Sequence, residues 1–424
     1  MASNFRILSL AGAVLALCSC AQKKDVTLTV IDPGHFHASL LQKHDLQGVS
    51  SAVNVYAPEG EELDQYLETI ESYNSRPDEP TSWEETVHAG EYYLEALPQA
   101  GKLDAVMLSG NNKKKSDYIH AAVQKGYNVL SDKPLAISEA GWKTLRDSYG
   151  LAEEKGLVIY DLMTERYDTL NILVRNLIND RSLFGEFDLS DGPAVKMTSV
   201  HHFYKEVSGS ALHRPQWYYD VTQQGEGIAD VTTHLIDLVF WQCFPGEAIG
   251  LEDVSVTGAS HYPTRISAQQ FRQSTGAAQF PSYLDGIREG DCIEVMANGS
   301  MDFTVKGLPV QMNVKWNWEP QKGGSDTFEA VYKGTGATIT VRQDASTGYV
   351  KQVFVKPAGQ PERMMDVPAC CRISHEEHFN LVAAQFLKYV RGEEEMPSWE
   401  KENTLTKYHI TTTAVKLATE SAGR

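Results

Sequence analysis

The residue types best suited to chemistry occur in two separate segments of the chain. Lys133 follows Asp132 in an Asp-Lys-Pro turn, and Asp230, His234 and Asp237 lie in a predicted helix further along. Side chains at i, i+4 and i+7 of a helix share one face. An imidazole can take a hydroxyl proton and an ammonium can stabilise an alkoxide, which are the two tasks of hydride transfer between a carbinol and a nicotinamide. The two segments therefore predict a dehydrogenase site.

The elements that would position the lysine turn alternate between strands and helices. Apolar, β-branched runs predict strands at residues 26–31, 52–56, 104–109, 128–130 and 158–160, with helical segments between them. This rhythm predicts a doubly wound parallel sheet of the Rossmann type.

The turn after the first strand contains a partial dinucleotide-binding motif. A strand, a glycine turn and a helix start present backbone N–H groups to a pyrophosphate. Of the G-x-G-x-x-G pattern only Gly34 is kept, because Asp32 and His37 stand at the outer glycine positions. We predict that this turn, including His35 and Phe36, contacts a cofactor. The alternative is a plain strand-to-helix turn.

The second half of the chain is rich in strands. Alternating apolar and polar residues predict half-buried antiparallel strands at residues 292–297, 301–305, 310–318, 327–332, 337–341 and 352–355. We expect a C-terminal α+β domain with a large open, mainly antiparallel sheet.

A polar and aromatic stretch before the predicted helix is expected to line the substrate side. Trp217 and Tyr218 could stack on sugar rings, while His202, Lys205 and Arg214 reach hydroxyl groups. The alternative is that the aromatic residues belong to the core of the sheet.

The same region contains residues of the types that bind metal ions, namely His201, His202, Asp230 and His234. The spacing of these residues does not favour coordination, and the sequence therefore predicts no metal site.

The order of these motifs resembles the glucose-fructose oxidoreductase / inositol dehydrogenase / MocA (Gfo/Idh/MocA) family. The resemblance rests on the glycine turn, the Asn111-Asn112 turn, the segment 129–135 and the Asp230-x-x-x-His234 helix. It implies a Rossmann domain that binds NAD or NADP, and a C-terminal sheet that mediates homo-oligomers.

The resemblance also assigns roles to residues. It implies that Lys133, Asp230 and His234 form the catalytic set, with His234 as the general base and Asp230 orienting its ring. These two residues also belong to the expected substrate site. The expected cofactor contacts are Asp32, Gly34, His35, Phe36, His37, Glu59, Asn111, Asn112, Asp132 and Lys133.

Two residues depart from the family pattern. Asp132 replaces the usual glutamate of the lysine turn, which keeps the charge. Asp32 places a carboxylate where the pyrophosphate approaches, which predicts an unusual or lost cofactor site.

The N-terminus resembles a bacterial lipoprotein leader. Arg6 precedes a short apolar run that ends in Leu17-Cys18-Ser19-Cys20. We expect residues 1–19 to be a signal peptide, Cys20 to be lipidated, and residues 20–25 to be a tether to the cell envelope, periplasmic or outer-membrane. An ordinary signal peptide is the alternative. We expect residues 26–160 to form the NAD(P)-binding Rossmann domain. Residues 161–424 are expected to form a C-terminal domain for substrate binding and oligomerisation.

The composition of the chain limits the classes of molecule that it can bind and the number of its domains. A net charge of −18 argues against nucleic-acid binding, and 424 residues favour two domains.

The expected function is NAD(P)-dependent oxidation or reduction of a sugar or polyol. One alternative is a redox-neutral glycosidase, epimerase or lyase that oxidises the ring transiently. The other is a carbohydrate-binding lipoprotein without cofactor.

Overall fold

A computed structural model describes residues 25–207, 210–368 and 371–422. The predicted lipidation site, Cys20, lies outside these residues. In the described parts, no helix is both long and apolar enough to cross a membrane.

The N-terminal domain contains a six-stranded sheet, and all its neighbouring strands are parallel. The strand order is β3-β2-β1-β4-β5-β6, which confirms the predicted Rossmann architecture. The strands are β1 (Val26–Ile31), β2 (Val49–Ala57), β3 (Glu84–Ala89), β4 (Ala105–Leu108), β5 (Asn128–Ser131) and β6 (Ile159–Asp161). The helices are α1 (His37–Leu40), α2 (Glu61–Ser75), α3 (Asn112–Lys125), α4 (Glu139–Lys155) and α5 (Thr169–Asn179).

Local signals fix where the helices begin and end. Asn111 accepts a hydrogen bond from the Lys113 backbone and caps α3, and Ser138 caps α4 in the same way through Gly141. An uncapped helix start would leave buried N–H donors without partners. These caps hold the turn after β4 and the chain after the lysine turn in fixed positions.

The C-terminal domain is built on a nine-stranded sheet in which most neighbours are antiparallel, as predicted. Among the described strands of this large sheet, only β7 and β13 pair in parallel. Its strands, with a separate β8–β9 hairpin, are β7 (Val195–His202), β8 (Glu206–Val207), β9 (Ser210–Ala211), β10 (Val254–Ser267), β11 (Arg288–Glu289), β12 (Cys292–Val305), β13 (Leu308–Asn317), β14 (Thr327–Lys333), β15 (Ala337–Gln343), β16 (Gln352–Pro357) and β17 (Arg363–Met364). The helices are α6 (Val221–Gln224), α7 (Gly227–Asp230), α8 (Thr232–Cys243), α9 (Ala268–Thr275), α10 (His375–Arg391) and α11 (Trp399–Ala422).

The predicted catalytic helix is divided into α7 and α8 and packs tightly on the large sheet. A Cβ atom at Gly227 would stand 1.8 Å from the Ala297 carbonyl oxygen, so only glycine fits there. This close approach fixes the start of the helix that carries Asp230 and His234.

The two final helices return to the N-terminal domain. Phe379, Val382 and Phe386 of α10 belong to the same buried core cluster as residues of β1 and β2, and Trp142 of α4 donates a hydrogen bond to the Leu405 carbonyl of α11. The core of the Rossmann domain therefore includes side chains from the end of the chain.

A buried ion network joins the two domains. Asp237 pairs with Arg166 and with Lys407, whose ammonium also contacts Asp161 at 2.8 Å. Asp237 therefore does not share a site with Asp230 and His234, although the helical period placed all three on one face. Its role is to neutralise two buried cations.

Candidate active site

A cleft of about 990 Å³ lies between the ends of the parallel strands and the large sheet. Lys133, Asp230 and His234 all line it, as the sequence predicted. The Lys133 ammonium contacts Asp230 Oδ1 at 2.7 Å. Burial opposes the charge of Asp230, but Lys133, together with His201 and His234, holds the pKa of Asp230 below its ordinary value. The lysine is thereby fixed at the floor of the cleft.

His234 has the protonation state of a base. Its burial, followed by the Lys133 cation, lowers the pKa of His234 to about 4. The ring is therefore neutral near pH 7 and can accept a proton.

The expected orienting contact to this ring is not present. His234 Nδ1 has no hydrogen-bond partner, and the side chain of Asp230 is engaged by Lys133 instead. The prediction that Asp230 orients His234 was wrong, because the Asp230 carboxylate pairs with the Lys133 ammonium.

Ion pairs cover the opposite wall of the cleft. Lys205 pairs with Asp326, and Lys351 pairs with Glu165 at 3.0 Å. Burial opposes ionisation of Asp326, but His201 and Lys205 lower its pKa below the ordinary range.

The structure places His202, which was expected on the substrate side, away from the cleft. His201 lines the cleft, whereas His202 is buried and its Nδ1 lies 2.9 Å from Asp326 Oδ1. His202 therefore supports a carboxylate of the wall rather than reaching the substrate.

Aromatic rings form a third part of the wall. Trp217, Tyr218 and Trp316 line the cleft, and the Arg214 guanidinium lies 4.3 Å from the centre of the Tyr218 ring. Arg214 is buried and also donates to the Phe203 carbonyl at 3.3 Å. It therefore orders the aromatic wall through contacts with its own domain.

The residues that sequence reasoning missed come from distant segments. They include Glu165, His201, Asp326 and Lys351. His201 was identified only as a conceivable metal ligand. Asp326, which follows a glycine pair and precedes a predicted strand, could have been suspected as a residue at a strand end.

A second cavity of about 660 Å³ lies beside the turn after β1 and the end of β2. Asp32, Gly34, His35, Phe36 and Glu59 line it. In a sheet of this strand order, dinucleotides bind at the carboxyl ends of the strands where the order reverses. The cavity is therefore where the predicted cofactor contacts converge.

The structure shows how Asp32 fits in the glycine turn. Asp32 has a φ of 49°, in the left-handed region that favours glycine, and is buried. Its Oδ2 accepts a hydrogen bond from the Tyr118 hydroxyl at 2.8 Å. Because a protein donor fixes this carboxylate and Gly34 adds no side chain to the turn, the residues fit a dinucleotide.

Three predicted cofactor contacts either lie outside both cavities or are hydrogen-bonded to residues of the other domain. His37 is buried and lines neither cavity. Asn111 also lines neither cavity and donates to Gln223, while Asn112 donates to the Gln224 carbonyl at 2.8 Å. Both asparagines connect the Rossmann domain to α6. Asp132 and Asn112 do line the larger cleft.

Glu62 and Trp217 stand over the glycine turn. Glu62 Oε2 lies 3.2 Å from the position of a Cβ atom on Gly34, and Glu62 Oε1 accepts a hydrogen bond of 2.6 Å from Trp217 Nε1. Burial and the neighbouring Asp32 raise the pKa of Glu62 to about 7. The contact crosses from one domain to the other beside the expected pyrophosphate.

Comparisons with family models cover most of the chain. Residues 17–160 match "Oxidoreductase family, NAD-binding Rossmann fold". Residues 173–366 and 361–419 match "Putative oxidoreductase C terminal domain". No curated protein matches the sequence.

Solved structures share the whole architecture. A "putative oxidoreductase" from Parabacteroides merdae ATCC 43184 is 37% identical, with a TM-score of 0.91, over 94% of this chain and 98% of that chain. The 3-ketoreductase KijD10 from Actinomadura kijaniata, in complex with NADP, is 13% identical, with a TM-score of 0.59, over 93% and 98% of the two chains. Biliverdin reductase from Synechocystis sp. PCC 6803, in complex with biliverdin and NADP+, is 12% identical, with a TM-score of 0.61, over 93% and 99%. The latter two share only the fold.

Proposed function

The chain belongs to the Gfo/Idh/MocA family of NAD-binding oxidoreductases, and from this premise we propose that it transfers hydride to or from a neutral sugar or polyol. The observation that carries the substrate class is the charge balance of the cleft. Lys133, Lys205 and Lys351 are each paired with a carboxylate. Arg214 and Asp132 also line the cleft, so that its cations and carboxylates balance in number and the field on an anionic substrate is weak.

The aromatic wall supports the same class of substrate. Trp217, Tyr218 and Trp316 offer apolar ring faces beside polar groups that can bind hydroxyls. A polyhydroxylated ring has both kinds of surface. An extended apolar substrate would form no hydrogen bonds with the ion pairs of the wall.

Each catalytic residue has a defined task in this proposal. His234, neutral at pH 7, takes the hydroxyl proton during oxidation and returns it during reduction. Lys133 stabilises the alkoxide, and Asp230 holds Lys133 in place at 2.7 Å. The nicotinamide, when bound, supplies or accepts the hydride.

The cofactor cavity favours NAD over NADP. Glu59 and Glu61 line the cavity just after the end of β2, where the adenosine ribose lies in sheets of this order. Carboxylates can accept hydrogen bonds from ribose hydroxyls but repel a 2′-phosphate. Affinity for NADH and NADPH, measured on the same preparation, tests this preference.

A redox-neutral reaction is the second candidate. Glu165, His201 and Asp326 add acid–base groups to the cleft beyond the pair that hydride transfer requires. Such groups could promote elimination or epimerisation next to a transiently oxidised carbon.

One experiment separates these possibilities. The purified full-length protein is denatured and the released nicotinamide is identified by mass spectrometry, and intact protein is then incubated with neutral sugars and polyols. A keto sugar or lactone supports net oxidation, and cleaved or epimerised sugar supports the redox-neutral route. Absence of bound nicotinamide and of NADH binding on titration would refute both and favour a carbohydrate-binding protein.

We also propose that Cys20 is lipidated and anchors the protein in the bacterial cell envelope. The support is the Leu17-Cys18-Ser19-Cys20 sequence. Mass spectrometry of the N-terminal peptide, with Cys20→Ala as the control, tests the anchor. Homo-oligomerisation through the large sheet remains a prediction that light scattering can test.

A further inference from the structure

Two histidines and an aspartate converge beneath the turn after β1. His35, His37 and Asp132 each present one donor atom, and these three atoms lie within 4.8 Å of one another. Asp132 Oδ2 lies 3.0 Å from His37 Nδ1 and 3.3 Å from His35 Nδ1. The cluster joins the end of β5 to the glycine turn, which are far apart in sequence.

A hydrogen bond does not account for the approach of His37 to Asp132, whereas His35 Nδ1 accepts one of 3.4 Å from the His37 backbone N–H. His37 Nδ1 makes no hydrogen bond despite its approach to Asp132, and His37 Nε2 and Asp132 Oδ1 are also buried without partners. The side chains of His37 and Asp132 are at least nine-tenths buried, at 10% and 5% exposure. Buried polar atoms without partners are costly, so such a group of them indicates a missing ligand.

The distances match those between ligands of a single metal ion. Tetrahedral bonds of about 2.0–2.1 Å place neighbouring donor atoms about 3.3 Å apart. The ligand atoms then point at the ion rather than at one another, which accounts for proximity without hydrogen-bond geometry. The observed separations of 3.0 and 3.3 Å are close to this value.

Charge supports the same conclusion. Asp132 is a buried carboxylate, and the only ion-pair partners that the described residues provide within 4.0 Å are the two imidazoles. Lys133 pairs with Asp230. The Lys115 ammonium also acts electrostatically on Asp132, but it lies beyond ion-pair distance and donates to the Asn112 amide oxygen at 2.7 Å. A buried carboxylate requires a compensating cation.

We propose that His35, His37 and Asp132 bind a divalent transition-metal ion. Two imidazoles and one carboxylate suit Zn²⁺, Co²⁺ or Fe²⁺, whereas Mg²⁺ and Ca²⁺ prefer sites made of oxygen ligands alone. Any further ligand comes from the cleft, because His35 reaches its surface while His37 and Asp132 are buried. The site goes beyond the proposed hydride transfer and does not depend on it.

Metal binding by the full-length protein, purified without a histidine tag, tests the proposal. After chelator treatment, the protein is titrated with Co²⁺ and followed by visible absorption, and Zn²⁺ is then added in competition. We expect one Co²⁺ per chain, displaced by Zn²⁺. His37→Ala or Asp132→Ala is expected to weaken binding by about 100-fold or more, since even outer-shell changes can cost 10–100-fold.

The matched control is His120→Ala. His120 belongs to the same domain, and its Nδ1 lies 3.0 Å from the Ser148 hydroxyl, away from the cluster. This variant is expected to bind Co²⁺ as the unmodified protein does. No saturable binding, or equal binding by all variants, overturns the proposal and leaves a cluster without metal.

A second measurement uses the unmodified protein, in case a ligand variant does not fold. Histidine modification with diethylpyrocarbonate, followed by peptide mapping, is compared with and without Zn²⁺. The expected result is protection of His35, which is the accessible member of the cluster. Protection confined to other histidines overturns the proposal. NADH titration of the same sample reports separately on the proposed function.

Discussion

Cofactor affinity is expected to depend on pH through Glu62. This carboxyl stands beside Gly34, where the pyrophosphate of a dinucleotide approaches, and its pKa is about 7 because of burial and Asp32. Glu62→Gln removes the charge while its amide oxygen can still accept the Trp217 hydrogen bond. The variant therefore isolates the effect of ionisation.

The magnitude follows from the competition between protonation and repulsion. Two like charges about 5 Å apart at an effective dielectric constant of about 20 repel by about 3 kcal/mol. Protonating Glu62 one pH unit above its pKa costs only about 1.4 kcal/mol. Binding is therefore expected to proceed with Glu62 protonated, and the Kd for NADH rises about tenfold between pH 6 and pH 8.

Isothermal titration calorimetry of NADH binding at pH 6, 7 and 8 measures this effect. In buffers of different ionisation enthalpy it also detects the proton taken up near pH 8. Glu62→Gln is expected to abolish the pH dependence, and the exposed Glu71→Gln of the same helix is expected to retain it. Identical pH dependence in the unmodified protein and Glu62→Gln would refute the reasoning.

Three further predictions concern the cleft and the buried ion network. Lys133→Met is expected to lower kcat by about 100-fold to 1000-fold, in steady-state assays of the substrate identified above, because the alkoxide loses its cation; an unchanged kcat would contradict this role. For oxidation, kcat/KM is expected to stay constant from neutral pH down to about pH 5 and to fall as His234 protonates with its pKa near 4; His234→Ala should remove this acid limb. Lys407→Met leaves Asp161 and Asp237 without a shared cation and is expected to lower the free energy of unfolding by about 3–5 kcal/mol; urea denaturation checks it, with the exposed Lys416→Met as control.

The sequence predicted the Rossmann sheet well where the strands are buried and β-branched. The bounds of β1 agree with the prediction, because the β-branched and apolar residues typical of a buried strand occur in one short run. Strand β3 was missed because it lies at the sheet edge with mostly exposed side chains. Edge strands lack the apolar run on which such predictions depend.

The residues of the site were predicted better than their pairings. The family pattern placed Lys133, Asp230 and His234 around one cleft, but helical spacing suggested an Asp230–His234 contact where Lys133 intervenes. The spacing of residues along a helix or strand identifies side chains that are neighbours within that element, but not contacts between elements. The approach of His37 to Asp132 depends on how β1 and β5 are placed in the sheet, which no local pattern encodes.

The core that α10 shares with β1 and β2 has a consequence for folding during synthesis. Phe379, Val382 and Phe386 complete a core whose other members are among the first described residues to leave the ribosome. The Rossmann domain cannot close this face until the second domain has been translated. Until then, its apolar surface is exposed to solvent or covered by a chaperone. Contacts between the two ends of the chain also raise the contact order, which slows folding.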